Sequence, residues 1–280
     1  MSIGTPLVSV LMTAFNRESF IAEAIESVLS STYVNFELII VDDCSVDNTV
    51  VIAKKYAAND SRIRVFCNNT NLGQFANRNK AASYARGVYL KYVDSDDIIY
   101  PHTLQVMVDG MLQFPDAAFG FCLTTGAGIN STPYQIESKT AIMQHYLGGG
   151  LLFVCPTGYI LRKTEFDNVN GFEEFGMPSD NHLSLKMAAK YPVVAMRKDL
   201  FWWRNHPGQV FTQNKNNYYN ILNNYNYSRD IINNYSPLTK RENNRILYNL
   251  KKIFFSHLLR LAFKKHRPWL ALSLFFKSKK

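Results

Sequence analysis

Strand-length apolar runs that alternate with helix-length amphipathic ones constrain this chain more than any other feature. Leu7 to Met12, Phe36 to Val41, Ile63 to Cys67 and Val88 to Val93 read as strands. Between them lie a predicted helix over 18–30, with Phe20, Ile21, Ala24, Ile25, Val28 and Leu29 on one face, a second from about Asn48 to Ala57, and a third opening near Gln74. Strands separated by helices of this length build right-handed βαβ units around a parallel sheet. After Pro101 the pattern predicts a helix to about Phe114 and a strand over Ala117 to Leu123, and then it loosens. Gly148-Gly149-Gly150 breaks a helix-like segment, Leu151 to Arg162 reads as β-rich, Ser179 to Lys190 as helical, and Val193 to Trp203 as one or two short strands. Asn, Gln and Lys dominate 213–226 and predict a linker or mobile loop.

The chain has 280 residues, enough to bury a sizeable core. Its net charge of +9 is unevenly spread: 18 Lys/Arg against 20 Asp/Glu over 1–215, and 13 against 2 over 216–280. A near-neutral body over 1–215 and a basic extension over 216–280 are the expected units. Cys44, Cys67, Cys122 and Cys155 are widely spaced and form no CxxC pair, so buried free thiols in a reducing compartment are expected. The first residues carry no basic segment ahead of the apolar run, and no stretch reaches the ~18–20 apolar residues of a membrane span. These features predict a cytoplasmic protein.

Val88 to Val93 runs directly into Asp94-Ser95-Asp96-Asp97. Acids this close at the end of a buried strand repel one another and resist leaving water unless a cation sits among them. Mg²⁺ or Mn²⁺ takes carboxylate oxygens and keeps room for phosphate and water; an acidic turn capping the next helix is the alternative. Thr13-Ala14-Phe15-Asn16 follows the first strand, Asp42-Asp43-Cys44-Ser45 the second, and Asn68 to Gly73 with Asn77-Arg78-Asn79 the third. In a parallel sheet such turns meet at the carboxyl edge, where ligands bind. Asp42, Arg78 and the Asp94/Asp96 pair, with a metal, suit a nucleoside diphosphate, the carboxylate of Asp42 accepting a uracil-like imide N–H. Asn16 and Ser45 could equally cap helices, and Arg78 could be a surface arginine.

The runs "VSVLMTAFN", "FELIIVDDCSVDNT", "NLGQFANRNKA" and "GVYLKYVDSDD" resemble, in order and spacing, those of family 2 glycosyltransferases of the GT-A fold. The resemblance is close over about 1–125, looser to about 208, and absent from the tail. It implies a Rossmann-like α/β sheet flanked by helices and an inverting transfer from a nucleotide-sugar, by preference a UDP-sugar, to a saccharide or polyprenyl-linked glycan. It implies that Thr13, Ala14, Phe15 and Asn16 border the nucleotide, that Asp42 binds the base, and that Arg78 and Ser95 lie near the nucleotide. Asp94 matches the first acid of the family's DxD motif, facing the ribose, and Asp96 the second, ligating Mn²⁺ or Mg²⁺.

"NGFEEFGMPSDNHLSLKMAAKYP" is similar to the family's segment in which an acidic pair opens a helix. The family usually shows Glu-Asp; Ser179-Asp180 stands here, which leaves Asp180 as the matching base, with Glu173 and Glu174 behind it. A helix N-terminus depresses a carboxylate pKa and would weaken it as a base, and Asp180 could be an N-cap only. In "FWWRNHPGQV", Trp202 and Trp203 offer faces for a sugar or for the core, while Arg204 and His206 resemble the family's Arg-x-His element, the Arg pairing with diphosphate and the His completing a metal shell. Gly208 and the residues after it would let this segment move over a donor.

A sugar-phosphate nucleotidyltransferase or a dinucleotide-binding dehydrogenase would place glycines after the first strand, where "MTAFNRE" has none. A degenerate carbohydrate-binding protein is the non-catalytic alternative. In the tail, Leu247, Leu250, Phe254, Leu258 and Leu261 recur every three or four residues with basic residues largely off that stripe. Over 243–280 this suits an anionic membrane at the inner face of the plasma membrane, or packing on the catalytic domain. Nothing resembles a module that reads nucleic acid.

Overall fold

Parallel pairing of the first strands is the spine of the molecule. A computed structural model of the chain describes residues 5–123, 131–176, 179–206, 209 and 218–279. Strand β1 (Val8–Ala14) pairs in parallel with β2 (Phe36–Asp42) and β4 (Tyr89–Tyr92), and β2 with β3 (Ile63–Cys67). A short strand β5 (Ile98–Ile99) follows, then β6 (Phe119–Cys122), β7 (Tyr134–Ile136), β8 (Tyr159–Arg162), β9 (Val193–Met196) and β10 (Phe201–Trp202). The eight-stranded sheet has the order β3-β2-β1-β4-β8-β6-β9-β7, while β5 and β10 form a separate antiparallel pair. Strand β8 runs antiparallel to both β4 and β6, and β7 to β9, so the sheet is parallel over its first half and mixed over its second.

Both faces of the sheet are covered, which is why its central strands read as continuous apolar runs. Val8, Val10, Met12, Leu38 and Ile40 point to one face, with α1 (Ile21–Leu29), α2 (Thr49–Asn59) and α4 (Thr103–Gln113) packed there. Leu11, Ile39, Val41, Leu90 and Tyr92 point to the other, under α3 (Gln74–Ser83), α5 (Ser138–Leu147), α6 (Lys163–Asn168) and α7 (Ser179–Lys190). One polar pair sits inside this frame. Ser9 and Glu37 face each other across β1 and β2, and Glu37 accepts hydrogen bonds from Ser9 Oγ (2.7 Å) and Arg86 N (2.8 Å). Burial acts to raise the Glu37 pKa, but these bonds and the Arg86 and Arg64 guanidinium groups outweigh it and the pKa is lowered. Beside them a Cβ on Gly87 would meet the Leu7 carbonyl oxygen at 2.6 Å, so only glycine lets the chain pass there into β4.

Three sequence expectations are corrected. Leu151 to Arg162 is not a continuous β segment, because a tight turn over Pro156–Gly158 precedes β8 and Pro156 has no N–H for a ladder. The polar stretch 213–226 is in part helical: α8 (Tyr219–Asn234) begins inside it, held by burial of Leu222, Tyr227, Ile231 and Ile232 against the weak helix propensity of its asparagines. Residues 213–217, Gly208 and the boundary expected between 215 and 216 lie outside the described residues. The cysteines are free thiols, but Cys44 and Cys67 are exposed rather than buried.

Beyond α8, a capping box of Thr239 and Glu242 opens α9 (Lys240–Leu259), and α10 (Pro268–Lys277) follows a π-helical turn over Arg260–Lys264. Tyr227, Ile231, Leu238 and Ile246 belong to the same apolar cluster as the sheet face under α7, so the start of the extension shares the main core. Phe254, Leu258 and Leu261 form a second, smaller cluster with Leu222, Ala271 and Leu274. The stripe singled out in the tail therefore packs inward, not toward a membrane.

Candidate active site

The turns at the carboxyl ends of β1, β2 and β4 converge on a cavity of about 750 Å³, within the range of small-molecule sites. Thr13, Ala14, Phe15 and Arg17 line it from the β1 turn, Asp43 from the β2 turn, Gly73 to Arg78 in part from α3, and Asp94, Ser95 and Asp96 from the β4 turn. Asp180 and Asn181 at the start of α7, Trp203, Gln209, and Asn220 and Asn224 of α8 complete the far side, with Phe153 to Pro156. Asn16 (φ 51°) and Cys44 (φ 69°) hold the left-handed conformation in the two facing turns, each at a backbone cost.

Arg78 is 2% exposed and projects from α3 against the rings of Tyr92 and Phe172. Its Nη2 donates to Asp94 Oδ1 at 2.7 Å, whereas Nε and Nη1 are buried without a hydrogen-bond partner among the described residues. Burial works against its charge, but Asp94, Tyr159 and Asp180 keep the guanidinium protonated and raise its pKa. A buried cation at the wall of a cavity, paired through one nitrogen only among the described residues, suits an anion bound there.

The acid cluster is neutralised in part by the chain itself. Asp96 Oδ2 accepts from Arg17 Nε at 3.2 Å and lies 3.0 Å from His206 Nε2. Asp97 is turned away from the cavity and accepts from Thr157 Oγ1 (2.7 Å) and the Arg204 N–H (3.2 Å). Burial, and next Asp94, push the Asp97 carboxyl up to about 7. Behind the cluster, burial lowers the Lys91 ammonium to about 8, and its Nζ donates to the Thr157 carbonyl. Repulsion among the acids is thus relieved by Arg17, Arg78 and Lys91, which weakens the electrostatic case for a metal but leaves the coordination case intact.

The His206–Asp96 distance of 3.0 Å equals the spacing of two adjacent ligands on an octahedral ion with bonds of about 2.1 Å. No group of three or more His, Cys, Asp or Glu side chains gathers around a single point among the described residues. Mg²⁺ and Mn²⁺ sites that borrow phosphate oxygens from a substrate need only one or two protein ligands, so Asp96 and His206 fit.

Burial raises the Asp180 carboxyl to about 6, with Arg78 pulling the other way. The expectation that the helix dipole would leave it a weak base is corrected: desolvation dominates. Ser179, standing in place of the first acid of the pair, accepts from Phe175 N at 2.6 Å and donates to the Gly176 carbonyl at 2.8 Å, so it fastens the chain at the start of α7. Glu173 is bound to Lys186 and Glu174 accepts from Gly176 N, and neither lines the cavity.

Four expected site residues do not line the cavity, and one of them, His206, meets it only through its contact with Asp96. Asp42 is 2% exposed and does not line the cavity; its carboxylate takes Ser45 N (2.8 Å) and Ser45 Oγ and so closes the β2 turn. Its neighbour Asp43 takes the cavity position, because the side chains of adjacent residues at a strand end point to opposite sides. Asn16 accepts from Val46 N at 3.0 Å, joining the β1 turn to the β2 turn rather than facing the cavity. Arg204 donates to the Asp96 carbonyl (2.9 Å) and pairs with Glu23, supporting the acid cluster from behind. Arg17, absent from the sequence reading, lines the cavity in its stead; its place just after the Phe15-Asn16 turn was the available signal.

A family model described as Glycosyl transferase family 2 matches residues 9–169. The chain belongs to the family 2 glycosyltransferases. It is similar to the Bacillus subtilis protein named putative glycosyltransferase EpsE (46% identity over 37% of this chain and 37% of that one). It is also similar to the Escherichia coli UDP-Glc:alpha-D-GlcNAc-diphosphoundecaprenol beta-1,3-glucosyltransferase WfgD (39% identity over 38% of this chain and 42% of that one). The matched part is thus less than half the length of either relative. The crystal structure of S. aureus TarS in complex with UDP-GlcNAc superposes with a TM-score of 0.72 at 22% identity, over 97% of this chain and 81% of that one. This likeness shows the GT-A fold for the glycosyltransferase, including its helical C-terminal region.

Proposed function

We propose that this family 2 glycosyltransferase moves a sugar, with inversion, from a UDP-sugar to a hydroxyl of a saccharide or lipid-linked glycan in cell-surface polysaccharide synthesis. The observation that carries the reading is the buried Arg78 guanidinium at the cavity wall, paired with Asp94 through Nη2 and with no partner for Nε and Nη1 among the described residues, which suits the diphosphate of a donor. WfgD, whose name specifies a UDP-Glc donor and a diphosphoundecaprenol-linked acceptor, supports the donor and acceptor classes. Asp43 is the acid assigned to the base: Asn68, Leu72 and Gly73 donate to it, which leaves capacity for one imide N–H. Thr13, Ala14, Phe15 and Ser95 border the nucleotide, and Asp94 faces the ribose.

In the transfer, the acceptor oxygen attacks the anomeric carbon as the bond to the diphosphate breaks and UDP leaves with the electron pair. Asp180 takes the acceptor proton, a role suited to a carboxyl raised to about 6. Arg78, and Arg17 beside it, hold the diphosphate and stabilise the charge gathering on it. Asp96 and His206 would hold Mn²⁺ or Mg²⁺, which when bound screens the phosphate charge. Residues 1–215 are read as the catalytic unit and 216–280 as an extension whose α8 closes the acceptor side through Asn220 and Asn224. A place at the inner face of the plasma membrane suits a lipid-linked acceptor.

The test is calorimetry with UDP, GDP, ADP and CMP, followed by sugar transfer from the matching nucleotide-sugar to a polyprenyl-diphosphate-linked acceptor. UDP should bind tightest and UDP-sugar should be consumed. Formation of a UDP-sugar from UTP and a sugar 1-phosphate would replace this reading with a nucleotidyltransferase. Tight UDP binding without transfer or donor hydrolysis would leave a binding protein.

A further inference from the structure

The C-terminal helix α10 is apolar on both sides. Ala271 and Leu274 face inward into the small cluster with Phe254, Leu258 and Leu261. Trp269, Leu272 and Phe276, spaced three and four apart, form a second stripe on the outside, 81%, 44% and 58% exposed. The outer side of α9 and its π-helical turn adds Leu259 and Phe263, one turn apart and 59% and 73% exposed. A helix apolar all round is normally buried. These side chains are instead in solvent, grouped on adjoining elements, while the stripe that the sequence pattern favoured is the one already used for packing.

Charge says what covers them. Residues 243–280 carry ten Lys and Arg and no Asp or Glu. Lys252, Arg260, Lys264, Lys265 and Lys277 are exposed, and none of the described basic side chains after Glu242 is in an ion pair. A second copy of the same face would repel it. A nucleic acid would meet the charge but leave Trp269, Phe263 and Leu259 with nothing to bury them. An anionic bilayer surface satisfies both, with aromatic side chains among the acyl chains and lysines among the headgroups. No described helix is long and apolar enough to cross a membrane, so the contact is in the plane of the surface.

We infer that the exposed apolar face of α9 and α10, with its lysine border, docks this enzyme on an anionic lipid surface. The inference rests on the proposed function, in which the acceptor hangs from a lipid. It deepens that reading by fixing the surface against which the cavity works. Lys277 Nζ lies 4.7 Å from the ring of Tyr219, and the next residue, Asn220, lines the cavity. Docking through α10 therefore sets the lipid beside the wall of the site.

The test is co-sedimentation of the full chain with vesicles of phosphatidylcholine alone and of equal parts phosphatidylcholine and phosphatidylglycerol. The variants are F263S/W269S/F276S and K252Q/K264Q/K265Q, each checked for an unchanged melting temperature and unchanged UDP binding. The full chain should pellet with the anionic vesicles only. The charge variant should lose on the order of a hundredfold in partitioning, from three lysines near an anionic surface, and the aromatic variant should stay in the supernatant. Equal pelleting of the full chain and the aromatic variant, or no preference for anionic vesicles, would overturn the inference. So would a dimer in solution that the aromatic variant reduces to a monomer, since the face would then belong to a second copy. Absence of UDP binding with pelleting intact would instead count against the proposed function and leave the docking surface standing.

Discussion

Arg78 donates to Asp94 through one nitrogen of its guanidinium, at 2.7 Å, and keeps the other two buried and unmet. Helix α3 supplies the cation and the end of β4 the anion, so the pair also ties the third βα unit to the acid turn. The pairing holds the guanidinium in place at the cavity wall.

Arg78→Lys retains the charge and loses the fork. Hydrogen bonds to charged groups are worth about 1.5–3 kcal/mol each, so UDP affinity should fall by about tenfold to a hundredfold. UMP, lacking the second phosphate, should be less affected. Calorimetry with both nucleotides checks this, and an equal loss for both would place Arg78 away from the diphosphate.

Asp180→Asn keeps the size and the capping capacity of the side chain but cannot take a proton. Transfer should drop by ~10²–10⁴-fold with donor binding retained. The pH profile carries an independent check. The carboxyl is raised from its ordinary value to about 6 and acts only when ionised, so transfer should be level above pH 6 and fall as pH drops through it. Transfer undiminished well below pH 6 would assign the base elsewhere.

Asp42 and Asp43 should separate cleanly. Asp43→Asn should weaken uridine nucleotides, whereas Asp42→Asn should lower the melting temperature by loosening the Ser45 turn, at a cost of about 1–3 kcal/mol for its buried bonds, and leave UDP affinity within a few-fold. Melting curves and calorimetry on both variants decide it; the reverse pattern would restore Asp42 as the base-binding acid.

Asp96→Ala should abolish Mn²⁺-dependent UDP binding, and His206→Ala should weaken Mn²⁺ about tenfold or more, as metal-shell changes do. Electron paramagnetic resonance of free Mn²⁺, with and without UDP, reads this without recourse to turnover. Unchanged Mn²⁺ uptake in both would make the 3.0 Å contact a hydrogen bond that fastens the segment after β10.

Much of this architecture is readable from residue pattern. The βα alternation of the first hundred residues and the convergence of their turns follow from apolar periodicity, because central parallel strands are buried on both faces. The site is less legible where one residue decides a side. Asp42 and Asp43 are adjacent acids, and only the backbone direction leaving β2 says which one meets the cavity. Arg17 takes the cavity place expected of Arg204 for a similar reason: Glu23, a helical residue far in sequence, captures Arg204. The tail carries two apolar faces at helical spacing, and periodicity alone cannot say which of them the small cluster of Phe254, Leu258 and Leu261 consumes.

The shared core of α7 and α8 bears on how such enzymes could be recombined. His182 Nε2 contacts Asp230 Oδ2 at 2.9 Å, and Tyr227, Ile231 and Ile232 sit in the same apolar cluster as Leu183, Leu185 and Met187. A chimera joined near 215 would import foreign partners for these side chains and a foreign cavity wall at Asn220 and Asn224. A joint beyond Leu250, after the last side chain packed on the main cluster, would leave that core intact but replace the partners of Leu222 and Tyr225 on α8. Acceptor choice should therefore move only together with the body of the enzyme, and membrane preference only with outer helices matched to Leu222 and Tyr225 of α8.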